Sequence, residues 1–110
     1  MLDKGDFVQF YSGSGSAKRE RFGIVISIEP FNNSVKRCFV FEAFRDFKAL
    51  HNPNMCVSTK IKRIEYHISL ASLYTVSLSN LTKIAKVRSD RVKEIMLKLD
   101  LLIQLTEHYD

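Results

Sequence analysis

Hydrophobic and polar positions along the first 44 residues predict three strands. Residues 5–11 alternate in hydrophobicity, as a strand with two different faces does. Residues 22–28 are nearly all apolar, which indicates a strand that is covered on both faces. Proline and asparagine at 29–34 favour a turn. The alternation returns over 35–44, which predicts the third strand.

The pattern is weaker in the middle of the chain. Residues 45–54 are polar and contain His-Asn-Pro-Asn, which predicts an exposed loop. A short strand is expected over 55–58. Branched and aromatic side chains favour two further strands, at 66–70 and at 73–76. Residues 79–84 fit either a short helical turn or another strand.

The C-terminal part of the chain has the clearest periodicity. Apolar residues recur there at helical spacing, which predicts a helix over about 90–106, capped by Ser89 or Asp90. A second apolar line of Leu97, Leu101 and Leu105 widens the hydrophobic face of this helix. That width fits either a broad core-facing helix or a contact with a partner or a second copy of the chain.

These elements predict one domain over residues 1–110 with a mostly β (α+β) fold. Several short strands followed by one helix are typical of a small, SH3-like, curled antiparallel barrel with a C-terminal helix. A Gly/Ser-rich segment leads into the cationic run Lys-Arg-Glu-Arg, and we expect a flexible loop over 12–20.

Composition and charge narrow the range of expected partners and cellular compartments. The formal charge is +5, which favours a polyanion or an acidic protein as partner. Cys38 and Cys56 lie in apolar surroundings and are expected to be buried free thiols. We identify no signal peptide and no apolar run long enough to cross a bilayer, so a cytoplasmic protein without membrane contact is expected. His51, His67 and His108 are scattered, and we expect neither a metal site nor a cofactor.

Motifs in chain order resemble the MazF/PemK family of toxins from toxin–antitoxin modules, which share the CcdB/MazF-type barrel. The resemblance spans nearly the whole chain and agrees with that family in length and in the order of elements. Its motifs are Gly5-Asp6-Phe7-Val8, Arg21-Phe22-Gly23-Ile24-Val25-Ile26-Ser27 with Phe31-Asn32, Thr75-Val76, Leu81 with Lys83-Ile84-Ala85-Lys86-Val87, and Val92, Glu94 and Ile95.

The resemblance implies metal-independent, sequence-selective cleavage of single-stranded RNA by a homodimer that an antitoxin restrains. It implies that Arg21 contacts the phosphate in the transition state, because a guanidinium can hold a phosphate through two bonds. Lys18, Arg19 and Arg45 are the further candidates for RNA phosphate contacts. Glu20, beside Arg21 in the sequence, is the candidate for acid–base chemistry.

Several positions depart from the family pattern. Phe22 stands where the family has proline, and Gly15-Ser16-Ala17 replaces its acidic loop motif. Phe44 stands where the family has threonine or serine, and a phenyl ring cannot donate a hydrogen bond to a phosphate. Tyr74 and Ser77 replace an arginine and an aspartate. Glu42, Arg45, Asp46 and His51 are possible substitutes.

These departures leave two other functions open. The fold can act by binding a protein, as an inhibitor of the mobile-element or phage type, in the way that CcdB-group barrels poison gyrase by contact. Alternatively, it can bind nucleic acid without cleaving it. The second reading draws on a basic run that comprises Lys83, Lys86, Arg88, Arg91 and Lys93.

Overall fold

The computed structural model describes residues 1–50 and 52–107, which form six strands and two helices. Short 3-10 turns at Gly15–Ala17, Phe47–Ala49, Pro53–Met55 and Leu78–Asn80 connect some of them. In chain order the elements are β1 (Asp6–Ser12), β2 (Arg19–Val25), α1 (Glu29–Val35), β3 (Arg37–Phe44), β4 (Cys56–Ile61), β5 (Ile64–Ser77), β6 (Thr82–Lys86) and α2 (Ser89–Thr106).

All six strands belong to one antiparallel sheet in the order β4-β5-β3-β2-β1-β6. The sheet curls, and α2 packs against it through Ile95, which is fully buried. The predicted fold class, a mostly β curled antiparallel barrel with a C-terminal helix, is confirmed. The sheet order places β1, β2 and β3 at its centre, which explains why the second half of β2, residues 22–25, is apolar.

Each face of the sheet has its own hydrophobic core. The larger core joins Phe7, Ile24, Phe41 and Ile68 to the inner side of α2. The smaller core lies on the opposite face, and its buried members are Val8, Phe10, Val25, Cys38, Val40 and Val76. Because neighbours along a strand point to opposite faces, the central strands supply both cores at once.

The loop predicted over 12–20 is shorter than expected. Ser12 belongs to β1, and Arg19 and Glu20 belong to β2, which leaves residues 13–18 between the strands. Ser12 is opposite Arg19 in the antiparallel ladder. The strand extends through this charged segment because its ladder is made by backbone groups, which pair regardless of side-chain polarity.

The turn predicted over 29–34 is a helix, α1, and that prediction is wrong. Pro30 lies in the first helical turn, where a proline needs no intrahelical N–H bond. Asn32 is fully buried, and its amide donates to the carbonyl oxygens of Leu2 and Ser27 at 3.0 and 2.9 Å. The helix ends at Lys36, whose φ of 60° is left-handed. Tertiary bonds to Asn32 therefore outweigh the local turn preference.

Two other boundaries differ from the sequence prediction. The strands expected at 66–70 and 73–76 form one 14-residue strand, β5, which pairs with β4 and then with β3. Its register against β3 shifts between Phe41 and Ala43, which bends the strand without ending it. β4 continues to Ile61, beyond the expected 55–58, because it pairs with β5 up to their shared turn.

Helix α2 matches the predicted span, but its cap differs. Arg88, in an extended conformation, is the boundary residue, and its side chain makes no capping bond. Asp90 lies inside the first turn, where its carboxylate accepts from the Arg88 guanidinium at 2.7 Å. Neither Ser89 nor Asp90 is therefore the cap. Within residues 1–50 and 52–107, no helix is long and apolar enough to cross a membrane.

The two cysteines are free thiols in different environments. Cys38 is fully buried in the smaller core, and this burial, with the nearby charge of Asp6, raises the pKa of its thiol to about 11. Cys56 is only half-buried, and its Sγ donates to the carbonyl oxygen of Pro53 at 3.1 Å. The prediction of two buried thiols is therefore confirmed for Cys38 alone.

Gly23 allows β2 and β3 to approach closely, which gives a stability prediction. A Cβ added there would lie 2.5 Å from the carbonyl oxygen of Phe41 and closer still to a methyl group of Val40. We expect Gly23→Ala to lower the free energy of unfolding by about 3 kcal/mol, since the carbonyl oxygen of Phe41 belongs to the backbone and the methyl group of Val40 is packed in the smaller core. The midpoint of urea denaturation measures this loss.

Gly15→Ala is the matched control. A Cβ at Gly15 meets nothing within 4 Å, although its φ of +56° is left-handed. The expected loss there is about 1 kcal/mol, from backbone conformation alone. Equal losses for the two variants would contradict the close approach at Gly23.

Candidate active site

Arg21 lies at the centre of a polar cluster at one end of the smaller core. It is opposite Phe10 in the ladder between β1 and β2, so its side chain is on the face of that core. Its Nη1 donates to Oε2 of Glu42 at 2.7 Å, and its Nε donates to Oγ of Ser12. The side chain remains 27% exposed. Arg21 is therefore held in place and is still accessible from solvent.

Glu42 is the buried member of the pair, with 7% of its side chain exposed. It is opposite Gly23 in the ladder between β2 and β3, and Gly23 has no side chain that would fill the space beside it. Arg21 is two residues before Gly23 and reaches Glu42 diagonally, a distance that a long side chain can span. The hydrogen bond to Glu42 is the main cause that raises the pKa of Arg21.

Tyr74 of β5 completes the cluster. Its ring centroid is 5.8 Å from the guanidinium carbon of Arg21. Burial raises the pKa of the Tyr74 phenol, and the negative charge of Glu42 raises it further, whereas Arg21 opposes the shift. A hydrogen bond between the phenol and Glu42 adds to this increase in pKa, and Tyr74 thus holds its proton at neutral pH.

A cleft of about 230 Å³ lies beside the cluster. Ser12 and Tyr74 form one part of its lining, and Arg37 and Asn80 form another. Arg37 donates to the carbonyl oxygen of Thr75 at 2.9 Å and is exposed. The cleft is smaller than the pockets that enclose drug-sized molecules, so it suits a short part of an extended chain.

The cluster contains the groups that metal-independent phosphate chemistry requires. Arg21 can neutralise negative charge on a phosphate, Glu42 can accept a proton, and Tyr74 can donate one. Among the described residues, no group of three or more His, Cys, Asp or Glu is arranged to hold a metal ion.

The structure does not bring Glu20 to Arg21. The two residues are neighbours along β2, and neighbours on a strand point to opposite faces. The carboxylate of Glu20 accepts from Nε2 of Gln9 at 2.6 Å on the other side of the sheet. Its predicted acid–base role therefore has no support from the geometry.

The four candidate phosphate contacts are divided between the two faces. Arg19 shares the face of Arg21 and is exposed. The ammonium of Lys18 is 4.9 Å from the centroid of the Tyr11 ring. Arg45 lies over Phe22 and Tyr66 at 5.5 and 5.6 Å, and it also donates to the hydroxyl of Tyr66. Arg19 and Arg21 therefore share the face of the cleft, whereas Lys18 and Arg45 lie against aromatic rings of the other face.

Among the possible substitutes named from the sequence, Glu42 is the one beside Arg21. Asp46 accepts from the backbone N–H of Lys48 at 2.9 Å and begins a short turn. His51 and His108 lie outside the described residues. Sequence reasoning missed Ser12 and Arg37, and it treated Tyr74 only as the replacement of an arginine. The replacement of a family arginine by Tyr74 was the sequence signal that could have indicated this part of the site, because it occurs at a family site position.

The apolar line on α2 faces solvent. Leu97, Leu101 and Leu105 are 66%, 60% and 56% exposed, whereas Leu99 and Leu102 pack against the larger core. Next to this line, Val92, Met96 and Leu97 line a groove of about 880 Å³, at which Lys4, Lys86 and Lys93 also lie. The surface of α2 therefore offers an apolar strip with a basic border.

The environment of Tyr74 gives a pH prediction. A pKa raised above the unfolded value means that the folded protein binds this proton more tightly. Its contribution to stability is then present below the ordinary pKa of 10.0 and is lost as pH rises through the higher folded value. The phenolate absorbance of the native protein, minus that of Tyr74→Phe, should titrate above 10.0. A difference curve that matches the denatured protein would contradict the burial.

Comparisons with known proteins support the fold at low sequence identity. No protein-family model matches the chain, and no curated protein sequence matches it.

Solved structures do match. A crystal structure of MazE-MazF from Deinococcus radiodurans superposes with a TM-score of 0.77 at 15% identity, over 94% of this chain and 96% of that chain. A second crystal form gives 0.78 with the same identity and coverage. A crystal structure of MazF from the same organism gives 0.75 at 15% identity and the same coverage. At this identity the likeness shows the fold alone, and the fold is MazF-like.

Proposed function

We propose that the protein is a MazF/PemK-type toxin that cleaves single-stranded RNA without a metal ion. The observation that carries the proposal is the position of Arg21. Its guanidinium is fixed by Ser12 and Glu42, is partly exposed, and contacts Ser12 and Tyr74, which line a cleft in a MazF-like fold. A fixed arginine in a partly dry site stabilises developing phosphate charge better than a mobile surface cation does.

The reaction needs few groups. The 2′-hydroxyl of a ribose attacks the adjacent phosphate, which forms a 2′,3′-cyclic phosphate and releases a 5′-hydroxyl. Arg21 would bind the phosphate oxygens and stabilise the charge of the transition state. The incoming phosphate would bind the same guanidinium as Glu42. Arg21 would then contact both anions without a change in the backbone.

Contacts beyond the scissile phosphate would come from the same face. Arg19 and Arg37 are both exposed cations near the cleft, since Arg19 is opposite Ser12 and Arg37 lines the cleft itself. Such cations track an RNA backbone and make binding depend on salt. Lys18 and Arg45 are then left to contact flanking nucleotides that reach the other face, where Tyr11 and Phe22 offer rings.

We also propose that the protein forms a homodimer and binds an acidic antitoxin. Apolar side chains as exposed as Leu97, Leu101 and Leu105 on one helix are typical of an interaction surface. The lysines beside the groove on α2 favour a partner with acidic side chains. The matching structures include MazE-MazF, which pairs such a fold with another protein.

Two observations favour the alternative, a protein-binding inhibitor that has lost cleavage. Phe44 stands at a family hydroxyl position, and Arg21 already has a carboxylate partner at 2.7 Å. If so, the purified protein would leave RNA intact at enzyme excess. It would instead retain one stoichiometric protein from a lysate after nuclease treatment.

Cleavage of a long unstructured RNA in the presence of EDTA tests the proposal. We expect defined fragments with 2′,3′-cyclic phosphate ends from the wild type. Arg21→Ala should reduce the rate about 10²–10³-fold, because it removes a fixed donor to the transition state. Lys60→Ala, which removes the same charge from an exposed site on β4, is the control and should retain the rate. Intact RNA with the wild type would contradict the proposal.

Sedimentation velocity tests the dimer. We expect a dimer for the wild type and a monomer for Leu101→Glu, because a buried unpaired carboxylate opposes association. Leu73→Glu changes another exposed leucine on β5 and should leave the dimer unchanged. A wild type that remains monomeric, or a Leu101→Glu variant that remains dimeric, would count against the α2 interface.

A further inference from the structure

We propose that Glu42 is the general base and Tyr74 the general acid of this RNA cleavage. The inference rests on the proposed function and assigns the two proton transfers that it leaves open. Both residues come from strands other than that of Arg21, namely β3 and β5, and neither is next to it in the sequence.

Glu42 is placed to take the proton of the 2′-hydroxyl. Its Oε2 accepts from Nη1 of Arg21 at 2.7 Å, so a phosphate that binds the same guanidinium lies next to the carboxylate. The two groups thus hold the nucleophile and the electrophile side by side. Although the side chain is largely buried, 7% of it is exposed, and Arg21 above it is 27% exposed. A carboxylate in such a buried position is poorly solvated, and its hydrogen bond to Arg21 fixes its orientation.

Tyr74 is placed to protonate the leaving oxygen. Its ring lies 5.8 Å from the Arg21 guanidinium carbon, and it lines the cleft where the chain beyond the phosphate would run. The raised pKa of the phenol keeps it protonated before the reaction. Tyr74 thereby supplies a hydroxyl, which the phenyl ring of Phe44 cannot do.

Ser12 acts through Arg21 and is a positioning residue. Its Oγ accepts from Nε of the guanidinium, which leaves the rest of the planar group to face Glu42 and the phosphate. Ser12 is in β1, so three neighbouring strands and β5 all contribute to the site.

The proton balance closes without a co-reactant. The O2′–P bond forms as the 2′-hydroxyl proton moves to Glu42. The P–O5′ bond breaks as Tyr74 gives its proton to O5′. Glu42 then returns a proton, through water, to the Tyr74 phenolate. The products are the 2′,3′-cyclic phosphate and the free 5′-hydroxyl.

Two RNA oligonucleotides of one cleavable sequence test the assignment, one natural and one with sulfur in place of O5′ at the scissile bond. On natural RNA we expect Glu42→Gln and Tyr74→Phe each to lower kcat about 10²–10⁴-fold, with KM nearly unchanged. A thiolate leaves without being protonated. The sulfur substrate should therefore restore most of the rate of Tyr74→Phe and none of the rate of Glu42→Gln.

Controls separate this inference from the proposed function. Glu65→Gln removes an exposed carboxylate on β5 and should retain the wild-type rate. Urea denaturation identifies any variant that fails to fold. If Glu42→Gln does not fold, Glu42→Asp replaces it; its shorter side chain withdraws the carboxylate from the 2′-hydroxyl and should also lower kcat, and an unchanged kcat would overturn the assignment of the base.

The outcomes are distinct. Wild-type protein that cleaves neither oligonucleotide contradicts the proposed function. Wild-type cleavage that persists in folded Glu42→Gln overturns the assignment of the base alone. Cleavage by Tyr74→Phe that sulfur does not restore overturns the assignment of the acid.

Discussion

Both faces of a six-stranded sheet must be buried by a chain of only 110 residues, and the positions of the other elements follow from this constraint. Helix α2 covers one face through Ile95 and its neighbours. The other face is closed by the curl of the sheet around a core of small branched side chains and Phe10. That second core is too short to cover the whole face, so its open end is where polar side chains can reach solvent. The cluster around Arg21 occupies this end.

The Arg21–Glu42 pair is poorly explained as a stabilising contact. Moving two charges out of water costs several kcal/mol per ion in a typical interior, and the attraction between them often only offsets this. Apolar residues at both positions would fill the end of the core at least as well. Polar groups that break the local packing pattern in this way are typical of functional sites. The cleft beside Ser12 and Tyr74 agrees with that interpretation.

How much the sequence predicts depends on how local each feature is. Period-two alternation indicates β1 and β3, and helical spacing indicates α2, because both patterns are set by neighbouring residues. The apolar run over 22–28 indicates only part of β2, which spans Arg19–Val25. Helix α1 was missed because the long-range bonds of Asn32 override local turn preferences. The site was only half predictable. The resemblance indicates Arg21, but Glu20, its neighbour in sequence, points away from it. Glu42 reaches Arg21 only through a strand register that loop lengths do not reveal.

Because the two cysteines lie in different environments, their modification by thiol reagents can report how often the sheet opens. Thiol reagents attack the thiolate, and a thiol with a pKa of about 11 in the smaller core has almost none at neutral pH. Cys56, half-buried at the start of β4, is accessible to a reagent without the sheet coming apart. Once Cys56 is blocked, slow modification of Cys38 measures how often β1, β2 and β3 separate. The same alkylation rate, taken with and without RNA, would show how far a bound strand holds those three strands together.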